Sequence, residues 1–583
     1  MNLEGLTSWL SRNLTILRWV GEYSPAHLRG DLAAGLSVGV ILIPQSMAYA
    51  VLAGVPPVYG LYASVIPLMV YPLFGTSRHL AVGVVAIDML VVAAGVSALA
   101  PASPQSYIAL AVLLSFMAGL IQVAMSAARL GFIVNLLSKP VVLGFTAAAP
   151  LIIAVSQLGN LLGMEIDAAA HIFVMAGDLL RSPGEAHMLT AVIGLGSIVL
   201  IVLLNRLLRV SWEPLIIVAG GALAVWGLDL HGEGVAVVGA VEGGLPRAGL
   251  PSAGLEEMRR LLPTAITLAL VQFMNVTSLG RTFASRHRYS LRPNSELFAI
   301  GAANLAAGIF RGLPVSASFS RSAINEQSGA RTPLSNVFSA LLVVLALLLL
   351  TPLLYYIPMA ALAAVIITAA LGLIDVGELR QLFYTKERDG YIALFTFATT
   401  LLVGIQEGIL LGVSASLVAV LVRASRPNVA VLGHIEGSRF FRDVQRHPEA
   451  VQVEGILVLR VDASFSFNNA EFFKEHILSE SERRGRPVQA VVIDGISIND
   501  MDSTAVEALE LVVDELGDHG IELHFAGLKG AIRDVLLRSG LARRLGGTHF
   551  HITPDRAVRY ILQKVRRKDP ADGRLEWYLG RVD

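Results

Sequence analysis

The chain has no cysteine among its 583 residues. Disulfide scaffolds, thiolate metal sites and cysteine nucleophiles are therefore excluded, and cysteine usage leaves the redox compartment open. Charge is scarce too. Asp, Glu, Lys and Arg make up 15% of the chain against 54% hydrophobic residues, whereas a soluble domain carries about a quarter charged residues. An ordinary cytosolic enzyme is excluded. Lys+Arg and Asp+Glu number 45 each, so no net positive charge points to nucleic acid. No Walker A stretch exists to cradle a nucleotide. The thirteen histidines form no HExxH or paired ligand spacing, so neither metal nor organic cofactor is expected.

What is present is apolar sequence in quantity. From Asp31 to Arg423 apolar runs follow one another, each near the ~20 residues that cross ~30 Å of hydrocarbon. Hydropathy gives about fourteen segments. The first seven lie near 31–53, 57–74, 81–99, 107–128, 132–158, 188–206 and 212–228. The second set lies near 258–281, 294–311, 319–331, 334–351, 356–373, 389–404 and 407–423. Two repeats, about 31–230 and 256–425, would make up a membrane domain over 31–425. Residues 1–30 carry Arg12, Arg18 and Arg29 without an isolated apolar core, and read as an amphipathic cytoplasmic lead-in. With that end inside, Arg129/Lys139, Arg206/Arg209, Arg281/Arg286/Arg288/Arg292, Lys386/Arg388 and Arg423/Arg426 all fall on the cytoplasmic side. The connections 55–57, 97–106 and 351–358 hold no Lys or Arg, as the positive-inside rule asks. A multi-pass protein of the cell (inner) membrane, embedded in lipid with both termini cytoplasmic, is expected.

Two segments depart from simple spans. Gly75-Thr76-Ser77-Arg78 leads into Leu80–Ala86, and Gly312-Leu313-Pro314 leads into Val315–Ala323. Laying Gly75 on Gly312 gives an offset of about 237 residues, close to seven segments, so the halves would run in opposite senses. Interrupted segments at matching places in two halves point to a mid-membrane site. Helices starting there, near Val82 and near Phe319, would offer unpaired N–H groups and positive dipole ends, which suits an anion. The second carries Ser318, Ser320 and Ser322 around Arg321. An arginine at membrane depth marks a functional site or a buried pair, and Asp88 is the carboxylate that could pair with it.

Pro57-Val58-Tyr59-Gly60-Leu61-Tyr62-Ala63-Ser64, followed by Tyr71 and Gly75-Thr76-Ser77-Arg78, resembles the sulfate permease family of anion transporters. Pro44-Gln45-Ser46-Met47-Ala48-Tyr49-Ala50 and Leu313-Pro314-Val315-Ser316-Ala317-Ser318-Phe319-Ser320-Arg321-Ser322-Ala323-Ile324-Asn325 are similar to two further family stretches. The resemblance implies fourteen helical segments in two inverted repeats, divided into core and gate domains that move as an elevator. It also implies a homodimer. The anion would lie between the third and tenth segments, with Gln45, Tyr49, Val84, Val85, Ser318, Phe319, Ser320 and Arg321 as the binding set. Two departures follow. Val84 stands where family members usually have proline. Asn275, in Phe273-Met274-Asn275-Val276, stands where they commonly have a carboxylate. H⁺ or Na⁺ coupling would then need another acid: Asp88, with Thr277 as a neighbouring cation ligand.

From 428 to 570 short Val/Ile/Leu strands (456–461, 490–494, 521–526) alternate with helical stretches (470–484, 504–516, 531–539), the pattern of an α/β domain. The region resembles a STAS domain, with 571–583 as a tail. Asp502-Ser503 reads as a helix cap; the resemblance adds that Ser503 sits where relatives can be phosphorylated. The functional reading is a secondary transporter of a small oxyanion, sulfate first. Bicarbonate, a dicarboxylate or chloride, a channel, and a membrane-tethered STAS regulator are the alternatives.

Overall fold

The computed structural model describes residues 14–582 apart from 100, 102, 136–137, 165–171, 182–183, 185, 209–211, 241–242, 252–253 and 483–486. Arg12 and Arg209, assigned above to the cytoplasmic side, lie outside the described residues. The chain divides into two compact units, one up to Ser416 and one from Leu417.

Among the described residues seven helices are long and apolar enough to cross a membrane. The elements that build the site are α1 (Pro25–Leu52), β1 (Val82–Gly83), α2 (Ala86–Ser97), α3 (Pro104–Ala127), α4 (Leu255–Arg286), α5 (Pro293–Ile309), β2 (Ser316–Ala317), α6 (Phe319–Gln327) and α7 (Ser335–Leu349). Local chemistry starts α1 cleanly. Ser24 accepts from the His27 amide, and Pro25 fills the first helical position, where no N–H is needed. Within the same helix Pro44 lacks the N–H that would close a turn. The run expected at 57–74 is two helices, Val58–Ala63 and Ile66–Phe74. Hydropathy does not anticipate Ile172–Arg181 or Val376–Thr385; the first is too short and one-sided for a span, and the second is charged.

Helices in lipid gain little from burying apolar surface against one another, so close packing of small residues has to hold them. Gly119 of α3 lies against Gly301 and Asn304 of α5, and Gly308 of α5 lies against Phe116 of α3. Gly60 is the tightest case. A Cβ there would stand 1.9 Å from the Ser46 carbonyl oxygen of α1, which explains the glycine in the Val58–Ser64 stretch.

The second unit is a six-stranded sheet, ordered β4-β3-β5-β6-β7-β8. The strands are β3 Val429–His434, β4 Phe441–Asp443, β5 Ile456–Val461, β6 Ala490–Asp494, β7 Glu522–Ala526 and β8 Phe550–His551. β5 to β8 are parallel, while β3 is antiparallel to β4 and β5. Alternation along β5 sends Leu457, Leu459 and Val461 to one core with Phe473 and Leu509. Ile456 and Val458 go to the other, beneath Ile561 and Tyr578. Residues 571–583, read from the sequence as a tail, contain the helix Arg574–Val582, whose Leu575, Tyr578 and Val582 are buried in that second core. Their 3-and-4 spacing is a helix face, masked in sequence by its short length and its flanking charges.

At the β7–β8 edge, buried His524 stacks on His549 with centroids 4.4 Å apart, and its Nδ1 lies 3.2 Å from Nε2 of His551. Burial, then the neighbouring imidazoles, push His524 down to about 4.

Two predictions follow from this packing. Gly60→Ala forces α1 and its neighbour apart, at a cost of about 1–3 kcal/mol, read as a lower melting temperature of the detergent-purified protein. For His524 the unfolded chain takes up the proton first. Its contribution to stability is complete above pH ~6.5 and is lost as pH falls toward 4, by up to ~1.4 kcal/mol per pH unit. Amide-exchange protection factors in β7 and β8 of the full-length protein, corrected for the intrinsic pH dependence of exchange, fall as pH drops through that window, and His524→Leu flattens the dependence.

Candidate functional site

Halfway along two broken segments the backbone is extended. β1 pairs antiparallel with β2, Val82 opposite Ala317 and Gly83 opposite Ser316, as segments of opposite sense would. The Ser318 amide donates to the Ala81 carbonyl at 3.1 Å. This pairing corrects one expectation: the first half-helix begins at Ala86, not near Val82. Extended chain over 81–85 finds hydrogen-bond partners in 316–318, which an earlier helix start would forfeit. The second begins at Phe319, as expected.

A two-stranded ribbon still has two open edges, and in hydrocarbon each unpaired group is costly. Two asparagines close them. Asn336 of α7 accepts from the Val82 amide (2.9 Å) and donates to the Leu80 carbonyl (2.9 Å). Asn304 of α5 accepts from the Val315 amide (2.8 Å) and donates to its carbonyl (3.1 Å). Each carboxamide thus copies the donor–acceptor pair of a missing strand. Ser322 and Asn325 hold the same stretch, through the Ala81 amide and the His79 carbonyl.

The ribbon delivers α2 and α6 with their N-termini unsealed. Val85 and Ser318 are the residues before each helix, both extended, and neither offers a side-chain cap. Their first-turn amides are therefore available to a ligand. Val85 is half-buried, Phe319 is 56% exposed, and Ser320 is exposed with its hydroxyl 3.4 Å from that of Ser318. These are the residues that open onto space.

Arg321 lies behind them, fully buried. Its Nη1 donates to Gln45 Oε1 at 3.0 Å and its Nη2 to the Val84 carbonyl at 2.8 Å. Its Nε has no partner among the described residues. The alternative pairing with Asp88 is not formed. Both partners of Arg321 are neutral, so its charge is left uncompensated beside two helix N-termini. Gly83, at φ +155°, gives the guanidinium room: a Cβ there would stand 3.1 Å from Nη2. Tyr49 is buried on the same face of α1 as Gln45, one turn on.

Asp88 sits in the first turn of α2, fully buried, its Oδ2 accepting from Gln272 Nε2 of α4 at 3.1 Å. Asn275 is half-buried one turn along α4 from Gln272. Thr277 is five residues on, well round the helix from Gln272, and its buried hydroxyl has no partner among the described residues. The structure thus gathers Gln45, Val84, Val85, Ser318, Ser320 and Arg321 around the ribbon and ties Asp88 to a separate amide network.

Sequence reasoning missed that network: Gln122, Gln272 and Asn304, with Asn336 and Glu296. Each is a polar side chain inside an apolar run, which is itself a signal. Glu296 explains another stretch. Fully buried on α5, it accepts from the Tyr71 hydroxyl (2.7 Å) and from the Thr76 and Ser77 amides (2.5 and 3.0 Å). Tyr71, Thr76 and Ser77 thus form a carboxylate cradle. Ser503 is the first residue of Ser503–Asp518, capped by Asp502, whose Oδ1 accepts from Ala505.

If the asparagine edges matter as argued, Asn336→Leu strands a buried N–H and a buried C=O. That costs about 2–6 kcal/mol at 1–3 per group, seen as a large drop in thermal stability and in yield of monodisperse protein.

Comparison with known proteins bears on this site. The sulfate permease family model matches residues 28–396, and the STAS domain model matches 447–557. A protein of Arabidopsis thaliana named sulfate transporter 4.1, chloroplastic, is 32% identical over 98% of this chain and 86% of its own length. A probable sulfate transporter of Mycobacterium tuberculosis is 36% identical over 94% and 97%. The murine solute carrier 26 family member A9 anion transporter, solved in the inward-facing state, has the same fold. It aligns with TM-score 0.87 at 21% identity, over 94% of both chains. The chain belongs to the sulfate permease family: a multi-pass anion transporter, not an enzyme, with a STAS domain.

Proposed function

We propose that this sulfate permease family member is a secondary active transporter of small inorganic oxyanions, sulfate foremost, working by elevator-type alternating access. One observation carries the reading: α2 and α6 open their N-termini at a shared ribbon, beside a buried Arg321 whose partners are both neutral. Two sets of first-turn amides, the Ser318 and Ser320 hydroxyls and one positive charge not paired with an acid make up the donor inventory. That suits a tetrahedral divalent anion better than a neutral solute. The names of the Arabidopsis and Mycobacterium relatives support sulfate over other anions.

In this reading Val85, Phe319 and Ser320 meet the anion. Gln45 holds the guanidinium, and Tyr49 walls the site. Asp88 takes the coupling H⁺ or Na⁺ in place of the carboxylate that Asn275 lacks. The protein works as a homodimer in the cell (inner) membrane with both termini cytoplasmic. Ser503, at the start of its helix, is a site for regulation by phosphorylation, since a phosphate there meets the positive end of the dipole.

Counterflow of labelled sulfate into liposomes, competed by a panel of anions, tests the substrate. Arg321→Gln weakens sulfate about ten- to a hundredfold, and a monovalent anion less, because the Coulomb contribution scales with ligand charge. Unchanged affinity and selectivity in Arg321→Gln would place the site elsewhere.

A further inference from the structure

Four fully buried polar side chains from four helices connect Asp88 to the ribbon: Asp88, Gln272, Gln122 and Asn304. Hydrogen-bond direction along them is forced from one end. The Val315 amide can only donate, so Asn304 turns Oδ1 toward it, at 2.8 Å. Asn304 Nδ2 must then donate, to Gln272 Oε1 at 2.9 Å and to Gln122 Oε1 at 3.1 Å. Gln122 Nε2 donates to the same Gln272 Oε1 at 2.9 Å. With its oxygen taken twice, Gln272 has only Nε2 left to face Asp88, and donates to Oδ2 at 3.1 Å. A main-chain amide that cannot reverse thus fixes the orientation of every carboxamide in the network.

That polarity distinguishes the two oxygens of Asp88. Oδ2 faces an N–H, so a proton there would set donor against donor. Oδ1 is buried and has no partner among the described residues. We propose that Oδ1 of Asp88 is the atom that accepts the coupling H⁺ or Na⁺, and that Gln272 and Asn304 are positioning residues that pass its state to β2. The proposal rests on the coupling role given to Asp88 above. Neutralising Oδ1 removes the charge that strengthens the Gln272 bond. The loss propagates through Oε1 to Asn304, because bonds in such a chain polarise one another. Asn304 holds Val315, and the Ser316 hydroxyl donates to the Gln272 carbonyl at 3.5 Å. The strand that presents Ser318 and Phe319 is therefore held by the residues that sense the carboxylate.

The helices packed against α2 are α1, α3, α4 and Lys139–Ser156. Their titratable groups are His27, Arg29, Asp31 and Tyr49 on α1, Tyr107 on α3, Lys139, and the charged residues at 256–260 and 281–286 at the two ends of α4. Lys139 is taken by Glu378 and Arg286 by Glu326. The hydrogen bond made to the Asp88 side chain among the described residues is that of Gln272.

The test uses full-length protein in liposomes, with labelled sulfate followed both in counterflow and under imposed H⁺ or Na⁺ gradients. The parent accumulates sulfate under one gradient, and that ion lowers its KM for sulfate by tenfold or more. Asp88→Asn loses this dependence. Gln272→Met, similar in size but without either hydrogen-bonding group, also loses the tenfold KM response while counterflow kcat stays within about threefold of the parent. Gln272→Asn, which shortens the amide's reach, serves if Gln272→Met does not fold, with the same loss expected. Parallel loss of counterflow and gradient-driven uptake, or a retained KM response in the Gln272 variant, overturns the relay while leaving Asp88 in place. A retained response in Asp88→Asn overturns the coupling role and the relay together.

Discussion

Everything in the membrane unit depends on one constraint: backbone N–H and C=O groups in hydrocarbon must find partners inside the protein. A helix meets this by itself. Breaking two helices to expose their N-termini creates a debt of unpaired groups at the worst depth. The protein meets it by crossing the two breaks as an antiparallel ribbon and sealing the edges with Asn336 and Asn304. What remains unsealed are the first-turn amides of α2 and α6, which no side chain caps, and these are the proposed anion contacts.

Buried charges follow a related logic. Asp31 and Glu296 are fully buried, yet each sits in a cradle of main-chain amides and hydroxyls. Arg331, Thr332 and Tyr23 donate to Asp31, and Thr76, Ser77 and Tyr71 donate to Glu296. These carboxylates are satisfied and pin loops. Arg321 and Asp88 differ. Each is buried with an atom left over, Nε and Oδ1, and stranding a polar group of a charged residue is costly unless something else completes it.

The sheet unit obeys a different solvent. Its parallel strands β5 to β7 are buried on both faces, with helices supplying each core. Buried His524, whose imidazole is held neutral to about 4 by burial and its histidine neighbours, makes the β7–β8 edge loosen in acid.

How much of this was legible in the sequence depends on the range of the interaction involved. Hydropathy and glycine–proline punctuation are local, so they place most spans, both breaks and the strands of the second unit. Ser318, Ser320 and Arg321 stand out in the sequence as a candidate site because serine and arginine in an apolar run are expensive whatever surrounds them. What residue types alone determined was a polytopic membrane protein with two interrupted segments, an anion-suited helix start and an α/β domain. Which polar groups meet was decided only by tertiary structure. Asn336 reaches Leu80 across 256 positions and Gln272 reaches Asp88 across 184, and no local pattern encodes such partners. The helix start at Ala86 rather than near Val82 has the same cause. Whether residues 81–85 coil or extend depends on a strand that lies more than two hundred residues away, and only the folded chain brings it alongside.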